Sequence, residues 1–332
     1  MRRRVVAIVV IGSATLAACS TGKQATDELM VTDNPVAATP AVSPPATVPP
    51  AGTVLPLGAA VRAMAVDSRT GLLAVAVDAS PAVLLYRLDD LTAAPTRVPL
   101  PSAPSDARLA GEGGPLLVTT GSQLVRVDLP GATSSATDLD GAPASAVQDG
   151  GRTLVALRDR HEIAVLDGGA VQRRITGNLF SADRVLTAGG HAVVLDRLRT
   201  ALFELDVAGG AVKQGLRAGE GATNAVADRF GRVLVTDTRG GTLLAFSLDP
   251  LLLRQRYPVG GAPFGIAYDP TRDVVWVTLT ATNEVVGYHV AGEEPQERYR
   301  FPTLAQPNSV AVDAGRVFVA SANGEGIQVI SL

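Results

Sequence analysis

The sequence has few cysteines, few lysines and no long apolar segment after its first 20 residues. Cys19 is the one cysteine in 332 residues, so neither an intramolecular disulfide nor a cysteine-based metal cluster can form. Lys23 and Lys213 are the two lysines, and the net charge of -3 provides no basic field for a nucleic-acid backbone. Nucleic acid is therefore not an expected partner. Apolar residues are abundant: 46% of the chain is hydrophobic and 18% is charged, which is enough to fold around a sizeable core.

The first 20 residues, "MRRRVVAIVVIGSATLAACS", combine three arginines, a short apolar run and small residues before Cys19. This segment resembles a bacterial lipoprotein signal peptide with "LAAC" as the lipobox. The resemblance implies that residues 1–18 are removed and that the Cys19 thiol carries diacylglycerol, whose two acyl chains suffice for stable anchoring. The alternative is an uncleaved membrane helix, but Val5 to Cys19 is shorter than the roughly 20 residues that span a bilayer. The protein is thus expected to be lipid-anchored on the extracytoplasmic face of the cell membrane.

Residues 19–52 form a linker between this anchor and the rest of the chain. The stretch "NPVAATPAVSPPATVPPAGT" is rich in Ala, Pro and Thr and has little that could form a core. Such a composition predicts a semi-rigid, partly polyproline-like spacer that holds the folded domain away from the lipid.

The chain after the linker repeats one pattern seven times. Copies begin at residues 62, 106, 145, 183, 224, 264 and 308, and two of the clearest read "NAVADRFGRVLVTDTRGGTLLAFSL" and "NSVAVDAGRVFVASANGEGIQVISL". Each copy has a thin, valine-rich strand, an Asp/Gly/Arg turn, a second strand and a third apolar strand. A period of about 40 residues with several short strands predicts the blades of a β-propeller. The alternative, one or two β-sandwiches, does not explain a sevenfold period.

The ends of the chain indicate how the ring closes. A short fourth segment follows the third strand in the first six copies, whereas the seventh copy ends at "VISL". The segment "TVLPL", residues 53–57, precedes the first copy and has the character of a fourth strand. We therefore predict an all-β, seven-bladed propeller over residues 53–332, in which this N-terminal strand joins the last blade and leaves no open edge. The linker is expected to leave from the outer rim beside the C-terminus.

The repeats also resemble a known group of propellers. "GIAYDPTRDVVWVTLTATNEVVGY" and the copy from Asn308 are similar to repeats of the YVTN/NHL/SMP-30-like superfamily, and the likeness covers residues 53–332. The combination of lipobox, Pro/Thr-rich linker and propeller resembles actinobacterial lipoproteins. The superfamily contains binding proteins, lactonases and lyases, so the resemblance implies a fold and leaves the function open.

The first residues of the inner strands differ between copies and are expected to surround the axial mouth. By alignment they are Arg62, Asp106, Ser145, Asp183, Asn224, Phe264 and Asn308. This polar ring of mixed charge could hydrogen-bond a small polar or anionic ligand, and it could equally be a solvated funnel. The candidate ligand-binding residues are Arg62, Asp106, Asp183, Asn224 and Asn308. By contrast, the repeated aspartates Asp67, Asp149, Asp269 and Asp313 are expected to cap turns.

Two functions remain after these observations. The leading interpretation is a binding or scaffold module without catalysis or cofactor, whose partner is a protein or an envelope ligand held at one axial face. The loops between second and third strands differ in charge, lie together on that face and are a candidate docking surface. The alternative is an SMP-30-like lactonase or hydrolase.

The resemblance to the lactonases implies one calcium or other divalent cation at the mouth. Asn224 and Asn308 would be ligands, and Asp106, Asp183 and Glu220 could supply carboxylates. Ala225 and Ser309 follow the asparagines, where those enzymes have glycine. The histidines His161, His191 and His289 lie in different copies and have no metal-ligand spacing, so no metal ligand is assigned.

Overall fold

A computed structural model of the protein describes residue 29 and residues 33–313 and 315–332. These residues form seven four-stranded antiparallel sheets and one 3-10 helix, Arg158–Arg160, which confirms the predicted seven-bladed propeller. No helix in this part of the chain has the length and apolar character needed to cross a bilayer. The predicted signal peptide and Cys19 lie outside the described residues.

The blades are numbered in chain order, and the strands of each blade are given from the inner to the outer one. The N-terminal strand is β1 (Thr53–Leu55). Blade 1 contains β2 (Val61–Asp67), β3 (Leu72–Val77), β4 (Ala82–Arg87) and β5 (Thr96–Pro99). Blade 2 contains β6 (Pro104–Leu109), β7 (Leu116–Thr120), β8 (Gln123–Val127) and β9 (Ser134–Asp138). Blade 3 contains β10 (Pro143–Asp149), β11 (Arg152–Leu157), β12 (Glu162–Asp167) and β13 (Ala170–Ile175).

The same arrangement continues around the ring. Blade 4 contains β14 (Arg184–Ala188), β15 (His191–Asp196), β16 (Ala201–Asp206) and β17 (Ala211–Arg217). Blade 5 contains β18 (Ala222–Ala227), β19 (Val233–Asp237), β20 (Thr242–Ser247) and β21 (Leu252–Pro258). Blade 6 contains β22 (Pro263–Asp269), β23 (Val274–Leu279), β24 (Glu284–His289) and β25 (Gln296–Pro302). Blade 7 contains β26 (Pro307–Asp313), β27 (Arg316–Ser321) and β28 (Ile327–Ser331), with β1 outside them.

Blade 7 shows how the ring closes. β1 pairs antiparallel with β28, in a register that places Thr53 opposite Val329 and Leu55 opposite Ile327. The predicted closure is therefore confirmed. Because β1 supplies the outer strand of the last blade, the first and last strands of the propeller pair in one sheet. Blade 7 thus has four strands like the other blades.

Residue size follows the wedge shape of the blades. Gly265 on β22 lies so close to blade 7 that a Cβ atom there would be 2.8 Å from the carbonyl oxygen of Asn308. Farther from the axis, Trp276 on β23 is fully buried and stacks on Tyr299 of the same blade, with ring centroids 5.2 Å apart. The inner strands thus require small residues, and the widening gaps between blades accept large ones, as the sequence predicts.

The propeller has two faces, which are named here by their loops. On the mouth face lie the segments that precede each inner strand and the loops from second to third strands. On the opposite face lie the turns from first to second strands. Residues 36–44, named the strap, contact the mouth face on blades 4 to 6 and the connection into blade 7. This differs from the prediction of a spacer that only holds the propeller away from the lipid.

Candidate functional site at the axial mouth

The inner strands of all seven blades surround an axial cavity of about 630 Å³. A volume of this size is typical of sites for small molecules. The five candidate residues of the sequence analysis all line it: Arg62, Asp106, Asp183, Asn224 and Asn308. Phe264 lines it too. Ser145 was placed in this ring wrongly, because its side chain is buried and its hydroxyl accepts a hydrogen bond from the Val185 amide, 2.8 Å away.

The structure adds four arginines that the sequence analysis did not select. Arg108 and Arg184 project from the inner strands of blades 2 and 4, and Arg158 and Arg197 come directly after the second strands of blades 3 and 4. Together with Arg62 they make blades 1 to 4 the cationic half of the cavity. Among the described residues of blades 5 to 7 that line the cavity, none is charged, and this part is named the neutral half.

Two carboxylates lie between these arginines. Asp106 accepts a hydrogen bond from Arg108 Nε at 2.9 Å and lies 3.5 Å from Arg184 Nη2. Asp183 accepts hydrogen bonds from Arg158 Nε at 2.7 Å and from the backbone amide of Arg197 at 2.9 Å. Both aspartates are therefore engaged by groups of the protein itself. Arg62 pairs instead with Asp78, in the loop between β3 and β4.

Arg197 has the most unusual environment of the cavity arginines. Its Nη2 donates a hydrogen bond to the carbonyl oxygen of Ala38 in the strap. Its Nε is buried and has no hydrogen-bond partner within the described part of the protein. Burial lowers the pKa of this guanidinium, and the positive charge of Arg158 acts in the same direction against the opposing effect of Asp183.

The residues of the lactonase alternative do not converge on a cation. Asn224 donates its side-chain amide to the Phe264 carbonyl at 3.1 Å, and the Asn308 side-chain oxygen accepts from Gln306 at 3.1 Å. Asp106 and Asp183 are held by guanidinium groups. No group of three or more His, Cys, Asp or Glu side chains with metal-binding geometry occurs in residues 29, 33–313 and 315–332. In this structure the two carboxylates that the lactonase alternative would use at the mouth are instead engaged by arginines.

The strap is held along the mouth face mainly through its backbone. The carbonyl of Val36 accepts from Arg239 at 3.0 Å, and the amide of Ala41 donates to Thr280 Oγ1 at 3.0 Å. The Ala41 carbonyl accepts from Gln306 Nε2 at 2.8 Å. Ala38, which is 4% exposed, fits beside the loop before blade 5. These contacts place the strap along the rim of the cavity.

Among the repeated aspartates on the opposite face, Asp67 and Asp269 cap turns as predicted, whereas Asp313 accepts side-chain bonds from Ser68 and Arg316. Asp67 accepts hydrogen bonds from the amides of Thr70 at 3.1 Å and Gly113 at 2.9 Å. Burial alone would raise the pKa of Asp67, but these bonds and the Thr70 hydroxyl together lower it. Asp269 likewise accepts from the Thr271 amide at 2.9 Å.

Solved structures with this architecture come from unrelated systems. One is hydrazine synthase of Kuenenia stuttgartiensis, with a TM-score of 0.71, 15% identity, and coverage of 84% of this chain and 97% of that chain. Another is a catalytically inactive virginiamycin B lyase from Staphylococcus aureus with quinupristin, with a TM-score of 0.70, 12% identity, and coverage of 84% and 98%. A third is the WD40 propeller domain of Doa1, with a TM-score of 0.67, 13% identity, and coverage of 84% and 95%.

These likenesses concern the fold alone. No protein-family model and no curated protein matches the sequence. The similar structures include a lyase and a WD40 domain, so the propeller shape by itself does not select an activity. The residues of the axial mouth are therefore the main evidence on function.

Proposed function

We propose that this protein is a lipid-anchored, extracytoplasmic binding module that holds a protein or envelope ligand at the mouth face of its propeller. The anchoring part rests on the lipobox resemblance at Cys19. The binding part rests on the mouth, where the copies of the repeat differ most from one another.

The observation that carries the binding part is the composition of the axial cavity. Its wall combines arginines and aspartates on one half with asparagines and two aromatic side chains on the other. A propeller that needed only to fold would have no use for charged groups crowded near its axis, because desolvating charge costs free energy. A binding surface does use such groups, since their arrangement gives specificity.

The anchoring is tested by replacing the lipidated residue. The Cys19→Ala variant cannot accept diacylglycerol, so we expect it to leave the membrane fraction while the wild type stays there after a high-salt wash. Intact-mass spectrometry of the wild type should show the lipid mass on a chain that begins at Cys19. An unmodified wild-type N-terminus would reject a lipid anchor.

The use of the mouth face is tested by photocrosslinking in the envelope of the native host. A photoreactive amino acid is placed at Thr282 or Asn323, which are exposed on the mouth face, and at Phe230, which is exposed on the opposite face. We expect discrete crosslinked species from the two mouth-face positions and none from Phe230. Equal crosslinking from both faces, or none from the mouth face, would contradict the proposal.

A further inference from the structure

The cationic half of the cavity carries more positive than negative charge. Four guanidinium groups, those of Arg108, Arg158, Arg184 and Arg197, face the carboxylates of Asp106 and Asp183. The excess is two positive charges, in a chain whose overall net charge is -3. The cavity is therefore locally positive although the whole protein is negative. Positive charges enclosed near one axis repel each other.

The ion pairs in this half leave donors unused. An arginine has five N–H donors, and the two aspartates cannot accept from all of the guanidinium groups around them. Asp106 is shared between Arg108 and Arg184, and Asp183 accepts one side-chain bond from Arg158. Arg158 is about half exposed, so the rest of its guanidinium is open to the cavity mouth.

Arg197 supplies the most specific observation. Its Nε is buried without a partner while the strap carbonyl of Ala38 holds Nη2 of the same guanidinium. An unsatisfied buried donor on a charged group is costly, on the order of 1–3 kcal/mol or more. An oxyanion that enters the cavity between Arg158 and Arg197 would reduce the repulsion between the two guanidinium groups.

We infer that the cationic half binds a small organic anion with two negative charges, of the dicarboxylate or phosphate-monoester class. Guanidinium groups bind both kinds of oxyanion through paired, charge-assisted hydrogen bonds. The acidic groups of the ligand lie against Arg158 and Arg197, and its body lies against Asn224 and Phe264 of the neutral half. This inference rests on the proposed function in one respect, because both place the ligand at the mouth.

The test is calorimetric titration of the full chain, purified in detergent, with three probes. Succinate represents the dicarboxylates, inorganic phosphate represents the phosphate group, and uncharged succinamide has the shape of succinate without its charge. We expect succinate or phosphate to bind with a dissociation constant below about 1 mM, and binding to weaken at least several-fold when the ionic strength rises from about 0.02 to 0.3 M. Succinamide should give no binding.

The variants locate the site. Arg158→Met and Arg197→Met should each weaken anion binding by about tenfold or more, because each removes a charged donor. The matched control is Arg298→Met, which removes an exposed arginine on the outer strand of blade 6 and should leave binding unchanged. Arg158 is half exposed, so its variant is expected to fold even where the loss of Arg197 disturbs the loop; circular dichroism and the melting temperature of each variant check this.

Each result of the titrations and of the crosslinking leads to a different conclusion. Binding of succinate alone assigns carboxylates and binding of phosphate alone assigns phosphate monoesters. Absence of binding by both anions, equal binding of succinamide, or full binding by folded Arg158→Met would overturn the inference. If the anions fail to bind while crosslinking persists at the mouth face, only the anion site is rejected. If anions bind but crosslinking is absent, only the proposed macromolecular partner is rejected.

Discussion

The two faces of the propeller are built from the same repeat but use their buried aspartates differently. On the opposite face Asp228 and Asp269 accept amides two to four residues ahead of them, and Asp67 adds a bond from Gly113 of the next blade to the one from its own turn. On the mouth face the carboxylates reach across the chain. Asp237 accepts the amides of Glu220 and Gly221, which are 17 and 16 residues away.

The two faces therefore differ in how far along the chain their buried carboxylates bond. On the opposite face the capping bonds of Asp228 and Asp269 lie within single turns. The mouth face depends on non-local contacts that differ from blade to blade, and this freedom lets arginines and the strap enter there without disturbing the sheets. Four predictions test the comparison.

The largest effect is expected at Asp237 on the mouth face. This carboxylate is fully buried and accepts three backbone amides, including that of Gly240 at 2.9 Å. Asp237→Ala leaves these donors without an acceptor, so we expect the free energy of unfolding to fall by about 3 kcal/mol. Urea unfolding at neutral pH measures it.

The matched control for Asp237 is an aspartate without such bonds. Asp167 lies exposed at the end of β12, and Asp167→Ala should change the free energy of unfolding by less than about 0.5 kcal/mol. Equal losses in the two variants would show that the mouth-face loops do not depend on buried carboxylates.

A smaller effect is expected on the opposite face. Asp269→Ala removes the acceptor for the amides of Thr271 and Arg272, but the turn remains close to solvent, which can replace these bonds. We expect a loss of about 1 kcal/mol in the same unfolding assay. A loss as large as that of Asp237→Ala would remove the distinction between local and non-local ties.

One aspartate on each face should also change the stability with opposite sign as the pH falls. Burial raises the pKa of Asp196 on the mouth face above 3.8, although the amides of Arg199 and Phe180 oppose it. The pKa of Asp67 on the opposite face is lowered instead. A carboxyl with a lowered pKa stabilises the fold above its usual pKa and loses this contribution as the pH falls through the lowered value; a raised pKa has the reverse effect.

The measurement is the free energy of unfolding between about pH 6 and pH 3, in comparison with neutral replacements. The advantage of the wild type over Asp67→Asn should shrink as the pH falls. The wild type should instead gain stability relative to Asp196→Asn over the same range. Parallel curves for the two pairs would contradict the assigned pKa directions.

The sequence predicted the fold well because each copy of the repeat forms one blade. The blade period is a local pattern that the chain shows seven times, the turn aspartates recur in four copies, and the closing strand is indicated by the fourth segment that the seventh copy does not have. Five candidate mouth residues also reached the cavity, because their place at the start of each inner strand is part of the repeat. Whether they bind a ligand stays a prediction.

The remaining features depend on contacts between distant parts of the chain. Arg158 and Arg197 follow second strands in two blades, and an arginine directly after such a strand is the signal that could have indicated them. The strap was not predictable from composition. Its partners Arg239, Thr280 and Gln306 lie about 200 or more residues away, and its small residues gave no apolar pattern.

The smallest effect on stability, and the most local one, is expected from loosening the strap. Thr280→Val keeps the shape of the side chain but removes the hydroxyl that accepts the Ala41 amide at 3.0 Å and donates to the Ala262 carbonyl at 3.2 Å. The Ala262 carbonyl keeps its bond from the Thr280 amide. Because the other strap contacts remain, the free energy of unfolding should change by less than about 0.5 kcal/mol, while amide exchange at Ala41 should quicken about tenfold. Hydrogen exchange measures the rate at the Ala41 amide in the wild type and in the variant. The control is Thr282→Val, which changes an exposed side chain in the same loop. If the Ala41 amide already exchanges fast in the wild type, the strap is not held on the mouth face in solution. Arg197 would then lose the Ala38 carbonyl that binds one end of its guanidinium.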